Sequence, residues 1–226
     1  MNLPPTIAID GPAGSGKTTV AHAIAVQFGY ALVDTGAFYR AVALAALRNN
    51  VPPDDAETLV ALAEQLQIET LPADSTDGNF YRLRLNGEDV TEALRSAEVE
   101  AIVSQVAAVR GVRQVLDATF RRIAAQHPLV VMVGRDIGTN VLPQAALKIY
   151  LDASSEVRGA RRQQQVGARD PQKVQQALDQ RDANDSQRTQ PAEDAYYINT
   201  DNLDIQSMIA QVRGLITAWQ VRNTQP

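Results

Sequence analysis

A single stretch near the N-terminus, I-A-I-D-G-P-A-G-S-G-K-T-T from Ile7 to Thr19, constrains this chain more than any other. Thr6 to Ile9 is short, apolar and β-branched, which suits a buried strand. Gly11-Pro12-Ala13-Gly14-Ser15-Gly16-Lys17-Thr18 then meets G-x-x-x-x-G-K-[ST] at every fixed position. Val20 to Phe28 follows with alanines and helical apolar spacing. A Gly-rich surface turn would satisfy the same letters, but not the strand–turn–helix context. Glycines let successive backbone N–H groups turn inward, and the start of a helix adds its positive dipole end to that anion nest. Lys17 is then a point charge for β- and γ-phosphates, and the Thr18 hydroxyl is placed to ligate Mg²⁺. Gly11 through Thr19 are the candidate triphosphate-binding residues.

Beyond this loop, apolar runs alternate with helical patterns. Tyr30 to Val33 is a second strand, ending at Asp34-Thr35-Gly36 before a helix from about Ala37 to Asn49. Asp54 or Asp55 can cap the next helix, with Leu59, Leu62, Ala63 and Leu66 along one face. The pattern changes between Ile68 and Val90: Ile68-Glu69-Thr70-Leu71 and Tyr81-Arg82-Leu83-Arg84-Leu85 alternate, and Asn86-Gly87 signals a hairpin. A small antiparallel sheet inserted as a separate subdomain is expected there. Helix returns from Thr91 to Val109, with a second helix from Gly111. Leu129 to Val133 is a continuous apolar run, as in a central parallel strand, and ends at Gly134-Arg135-Asp136. Leu147 to Leu151 is the next strand. Helices are expected over Glu156–Val166 and from Pro171 to Arg181, a last strand at Tyr196–Ile198, and a closing helix from Ile205 to Val221. On that closing helix Ile209, Val212, Ile216 and Trp219 should face inward. Such alternation implies an α/β, doubly wound parallel sheet with ligands at the carboxyl ends of its strands.

Composition excludes several classes of protein. At 226 residues the chain supports one good core with room for a small insert. With 45% hydrophobic and 21% charged residues it should be globular rather than disordered. A net charge of −5 argues against nonspecific nucleic-acid binding. The absence of cysteine removes disulfides and thiolate metal sites. No signal peptide or membrane span is legible, so a cytoplasmic protein, with no nucleic-acid or membrane partner, is expected. Nothing in the apolar patterning demands an oligomer, and a monomer is expected. Apart from Lys17, Lys148 and Lys173, every basic side chain is arginine, the residue suited to bidentate grasp of phosphate. Compositional bias explains most of them, so position must select those that matter.

Polar residues collect after the apolar strands: the loop after the first, D-T-G-A-F-Y-R from Asp34 to Arg40 after the second, and G-R-D-I-G-T from Gly134 to Thr139 after the third. Singly, each has a structural alternative. Asp34 or Thr35 serves equally as a helix cap, and Arg135 beside Asp136 as a mutual ion pair. Together with N-G-E-D-V-T-x-x-L-R-x-x-E-V, S-Q-V-A-A-V-R-G-V-R and K-I-Y-L-D-A-S-S-E, these motifs resemble bacterial cytidylate kinases, in order and over nearly the full chain. The resemblance implies transfer of the γ-phosphoryl group of ATP, with Mg²⁺, to CMP or dCMP in pyrimidine nucleotide metabolism. It implies that Ser104, Arg113 and Asp136 read cytosine. Thr35, Arg40 and Arg135 match positions near the acceptor phosphate. Arg181, Asp185 and Arg188 match a segment on the acceptor's sugar and phosphate, and Arg158 and Arg162 match lid arginines over the ATP phosphates. Lys17, Arg135, Arg158, Arg162 and Arg188 are the expected catalytic cations. The single kinase domain, residues 1–226, would carry a nucleoside-monophosphate-binding region at 36–110, its insert near 68–90, and a lid at 156–170 hinged about Gly167. The lid and the 188–195 loop are shorter than in the family, and Asn199 stands where it carries an acidic residue.

From the residues alone, Arg161 and Arg169 read as a solvated helix face, Ser104 equally as a small polar helix residue, and His22 and His127 as nonfunctional. No general base is legible. A phosphate monoester needs none, because its second pKa of about 6 leaves it ionised near neutrality. Other P-loop kinases of UMP/CMP, shikimate or dephospho-coenzyme A are the nearest alternatives. A GTP switch would need N-K-x-D, and D-x-x-G after a strand, and neither is found.

Overall fold

The computed structural model describes residues 2–72, 79–166, 170–186 and 188–224. In chain order the first elements are β1 (Thr6–Asp10), α1 (Lys17–Phe28), β2 (Ala31–Asp34), α2 (Thr35–Arg48) and α3 (Ala56–Gln65). Next come β3 (Ile68–Pro72), β4 (Tyr81–Leu85), β5 (Glu88–Asp89), α4 (Ala97–Ala108) and α5 (Arg110–Gln126). The chain continues through β6 (Val130–Val133), β7 (Leu147–Asp152), α6 (Ser155–Val166), α7 (Pro171–Asp185), β8 (Tyr196–Asn199) and α8 (Ile205–Thr224). These residues form two compact units: Met1–Val33 with Ala124–Pro226, and Asp34–Ile123.

The first unit is built on a five-stranded sheet in the order β2-β6-β1-β7-β8. β1 pairs in parallel with β6, Thr6 opposite Val130 through Ile9 opposite Val133, and with β7, Ile7 opposite Leu147 through Asp10 opposite Tyr150. β7 and β8 are also parallel. All four residues of β6 are buried, which is why V-V-M-V shows no alternation. Ile7, Ile9, Val131, Val133, Leu147, Ile149 and Leu151 form a core with Val20 and Ile24 of α1 and Met208, Val212 and Ile216 of α8. Met208 takes a core place on α8, while Trp219 is only half-buried, contrary to the inward position expected of it. The indole instead lines a cleft with Lys148, Tyr196 and Arg222. β1 is the switch point: β6 lies on one side and β7 on the other, so loops after these strands diverge around an open crevice.

In the second unit, Ala37–Ala46 of α2 are almost all buried. Phe38 meets Phe120 edge to face, with ring centroids 5.1 Å apart and planes at 80°. Asp55, rather than Asp54, caps α3, its side chain accepting from Thr58 N, and Leu59 and Ala63 are the residues α3 buries fully. The expected antiparallel sheet forms, with Ile68 opposite Leu85 and Glu88 opposite Leu85 on the other edge. Asn86 and Gly87 both take positive φ, 51° and 83°, as a tight hairpin requires. This sheet lies within the unit Asp34–Ile123. The helical stretch after Thr91 divides into a short 3₁₀ turn at Ala93–Arg95, α4 capped by Ser96, and α5. α7 runs four residues beyond Arg181, which puts Arg181 and Asp185 in one helix. Gly167 and Arg169 lie outside the described residues.

Candidate functional site

The glycine-rich loop leaves β1 and enters α1 as the sequence requires. Gly11 has φ +142°, and a Cβ there would stand 2.0 Å from the Leu151 carbonyl oxygen, so the backbone of β7 itself excludes any side chain. Gly16 caps α1 in the left-handed conformation at φ 96°. Ser15 is fully buried. Lys17 is 8% exposed, and its Nζ donates to the Pro12 carbonyl at 2.6 Å and to Ser15 Oγ at 3.5 Å. The ammonium is therefore folded over the loop on a carbonyl partner it can exchange for a phosphate oxygen. Thr18 and Thr19, in the first turn of α1, are half-buried.

Arginines converge beside this loop. Arg135, just after β6, donates from NH1 to the Gly11 carbonyl at 2.9 Å and from Nε to Asp185 at 3.2 Å. Arg188 donates to the other oxygen of Asp185 at 2.8 Å, and Arg181 Nε lies 4.0 Å from that carboxylate. Asp185 is 8% exposed. Three guanidiniums thus gather about one carboxylate. Arg135 thus pairs with Asp185, which lies fifty residues away, and the alternative of an Arg135–Asp136 pair is not what forms.

Arg158 is 6% exposed and held three ways: Nε donates to the Ala153 carbonyl, NH1 to the Ala13 carbonyl at 3.2 Å, and NH2 pairs with Asp182 at 2.6 Å. It reaches the phosphate loop itself, as a cation over that loop must. Arg162, on the same helix, is half-buried. Arg161 is not a solvated residue. Its guanidinium donates to Thr200 Oγ1 at 3.0 Å, the Thr200 carbonyl at 2.7 Å and the Leu203 carbonyl at 3.3 Å, clamping the turn between β8 and α8. That turn is also tied by Thr200, whose N–H and hydroxyl donate to the Asp152 carbonyl, and by Asp201, which accepts from Ser154 N.

Asp10, the last residue of β1, lies beside the phosphate loop and has no expectation attached to it from the sequence. Its two carboxylate oxygens accept from Ile137 N at 2.8 Å and Gly138 N at 2.7 Å, pinning the short π-helical turn Ile137–Val141 that follows Arg135 and Asp136. Burial pushes its pKa up to about 6, and the nearby charge of Asp136 adds to this; the two backbone hydrogen bonds and Lys17 oppose the rise. The signal was an acidic residue ending an otherwise apolar strand.

In the second unit, Asp34 caps α2, its Oδ1 accepting from Gly36 N at 3.0 Å, while its Oδ2 accepts from the Tyr81 hydroxyl at 2.9 Å. Thr35 is 4% exposed. Arg40 donates from Nε to Glu100 at 3.1 Å, and its NH2 pairs with the same oxygen at 3.0 Å. Burial disfavours the Arg40 charge, but Glu100 and Asp34 outweigh it, so the pKa is raised. Ser104 on α4 and Arg113 on α5 are half-buried. The sequence-expected acceptor residues thus divide: Thr35, Arg40, Ser104 and Arg113 belong to the second unit, and Arg135, Asp136, Arg181, Asp185 and Arg188 to the first.

A loop of this kind between the first strand and first helix, at the switch point of this strand order, defines the class: a P-loop α/β protein whose site is made to grip phosphates. Solved structures share that fold. An uncharacterized protein from Eubacterium ventriosum is similar at a TM-score of 0.52 and 12% identity, and shikimate kinase from Bacteroides thetaiotaomicron at 0.50 and 13%, each over 94% of this chain and 98% of its own. The chain belongs to the cytidylate kinase family, whose model matches residues 7–218. The cytidylate kinase of Herpetosiphon aurantiacus is 47% identical over 96% of both chains, and that of Chloroflexus aggregans 44% over 94% of both.

Proposed function

We propose that this protein transfers the γ-phosphoryl group of ATP to CMP or dCMP, giving ADP and CDP or dCDP. Full-length membership of the cytidylate kinase family supports this reading. The observation that carries it in the structure is the arginine cluster on Asp185, joined through Arg135 to the Gly11 carbonyl of the phosphate loop. Two polyanions must approach each other for this reaction, and most of the protein's task is to position them and neutralise their charge.

ATP is assigned to Gly11–Thr19. Lys17 leaves the Pro12 carbonyl for the β- and γ-phosphates, and loop N–H groups hold their oxygens. Arg158, and with it Arg162, supplies charge over the transferring group; the Arg158 contact to Ala13 keeps it at the loop. The acceptor phosphate is assigned to Thr35, Arg40, Arg135 and Arg188, with Arg181 and Asp185 on the sugar and phosphate. Asp136, Arg113 and Ser104 are assigned to cytosine: a carboxylate accepts from the exocyclic amine, which uracil lacks, and a guanidinium donates to ring acceptors. Arg135 serves both the acceptor phosphate and the transferring group. Its tie to the Gly11 carbonyl, beside the phosphate loop, supports that double assignment. The ionised acceptor attacks without a base, and closure over the site excludes water that would otherwise take the phosphoryl group.

Mg²⁺ fits the residues present. Among the described residues no group of three or more His, Cys, Asp or Glu could hold a metal ion, and Thr18 offers a single hydroxyl. A hydroxyl is a hard oxygen donor of the kind Mg²⁺ takes together with phosphate oxygens and water. When bound with ATP it would neutralise charge between the β- and γ-phosphates.

Coupled measurement of ADP formation with ATP and each of CMP, dCMP, UMP and AMP tests the proposal. CMP and dCMP should be preferred, and Asp136→Ala should lower activity on them far more than on UMP. An equal loss on every nucleotide would remove Asp136 from base recognition.

A further inference from the structure

We propose that Tyr81, carried by the inserted antiparallel sheet, is a positioning residue for Arg40 and acts through Asp34. The inference rests on the assignment of Arg40 to the acceptor phosphate and gives the insert a part in holding it.

The geometry lies entirely within the second unit. Tyr81 opens β4, and its hydroxyl donates to Asp34 Oδ2 at 2.9 Å. The other oxygen of Asp34 accepts from Gly36 N at 3.0 Å and starts α2. Arg40 follows on that helix, and its guanidinium comes back over the helix start: a Cβ built on Gly36 would stand 3.1 Å from Asp34 Oδ1 and 3.2 Å from Arg40 NH1. Asp34 Oδ1 and Arg40 NH1 therefore both border the space that a side chain at Gly36 would fill. Glu100 of α4 takes Nε and NH2 of the guanidinium from the other side. Arg40 is thus paired with Glu100 and feels the charge of Asp34, while 19% of its side chain stays open to solvent.

Chemically, this arrangement has a hazard. A carboxylate near an arginine competes with phosphate for the same N–H groups, and Asp34 Oδ1 borders the same space at Gly36 as Arg40 NH1. Tyr81 prevents this by occupying Oδ2 as a donor, while the helix cap occupies Oδ1. The tyrosine is well placed for that work because burial, Asp34 and the hydrogen bond all favour its neutral, donating form; Arg40 and Arg95 oppose them without prevailing. Asp34 then acts on Arg40 through its charge alone, rather than as a ligand that takes up its N–H groups.

Tyr81→Phe deletes the hydroxyl and keeps the ring. CMP binding is read by titration calorimetry, and steady-state kinetics by ADP release, both well below the melting midpoint set by circular dichroism. The expected result is a five- to tenfold rise in CMP Kd and KM, with kcat and the ATP KM within twofold. The double variant Tyr81→Phe/Asp34→Asn replaces the carboxylate by a neutral side chain still able to cap α2, and should restore CMP affinity to within twofold of the parent. A residue that merely stabilised the fold would lower the melting midpoint without raising the CMP Kd, and the second substitution would deepen the defect instead of relieving it; either result overturns the proposal. Arg40→Ala separates the two levels of inference. If it raises the CMP KM strongly while Tyr81→Phe leaves it unchanged, the role of Tyr81 alone is wrong. If Arg40→Ala also leaves it unchanged, the acceptor-site assignment fails with it.

Discussion

Replacing Asp10 with asparagine should change how the stability of this protein depends on pH. Asp10 is 4% exposed, and its two oxygens are bound by the backbone of Ile137 and Gly138. Its pKa in the folded protein is about 6, against 3.8 for an ordinary aspartate. Between those values the folded chain keeps a proton that the unfolded chain has released. Stability from this group is therefore greatest below pH 4, falls as pH rises toward 6, and is level above that. A separation of roughly two units corresponds to about 3 kcal/mol in full, of which about 2 kcal/mol falls between pH 4 and pH 7. Asparagine does not titrate. Its amide also faces one backbone N–H with a donor instead of an acceptor, but that cost is the same at every pH. Urea denaturation followed by circular dichroism at pH 4, 5, 6 and 7 gives the difference in unfolding free energy between parent and variant. That difference should move toward the variant by about 2 kcal/mol as pH rises across the range. A flat difference, or one moving toward the parent, would mean that Asp10 is ionised in the fold with an ordinary or lowered pKa.

Three further substitutions probe separate parts of the account. Gly11→Ala places a Cβ against the Leu151 carbonyl, a backbone atom in a sheet that cannot yield, at a φ that alanine avoids; ATP affinity should fall more than about tenfold, as read by calorimetry, with a loss of at least about 2 kcal/mol in stability. Arg135→Ala removes both the Asp185 pair and the Gly11 tie, and kcat/KM for CMP should fall about a hundredfold or more while the protein still melts cooperatively. Arg161→Ala strips three hydrogen bonds from the turn between β8 and α8 and should cost about 2–3 kcal/mol in urea denaturation, with the CMP KM unchanged.

What was legible in the sequence was local. The phosphate loop could be read because its glycines answer to backbone conformation, and Gly11 and Gly16 take the φ values that only such residues tolerate at no cost. The Asn86-Gly87 hairpin and the unbroken apolar β6 follow from the same kind of rule, applied over a few residues. The partners of charged side chains were not legible, because they are set by packing between distant segments. Arg135 finds Asp185, Arg161 finds Thr200, and Asp10 finds Ile137, each far away in the chain. Arg161 shows the consequence: helical spacing put it on a polar face, and only the fold put the Thr200 carbonyl opposite it. Trp219 erred the other way, since an apolar ring at core spacing near the end of a helix has less of the sheet beneath it.

The central claim is tested most directly by following the phosphorus. Purified protein is mixed with Mg²⁺, CMP and ATP labelled at the γ-phosphate, and the products are separated. The account predicts that the label appears in CDP, with ADP formed in equal amount, and that omitting CMP stops its release. Label recovered as inorganic phosphate at the same rate with and without CMP, or on an acceptor other than a cytosine monophosphate, would contradict it.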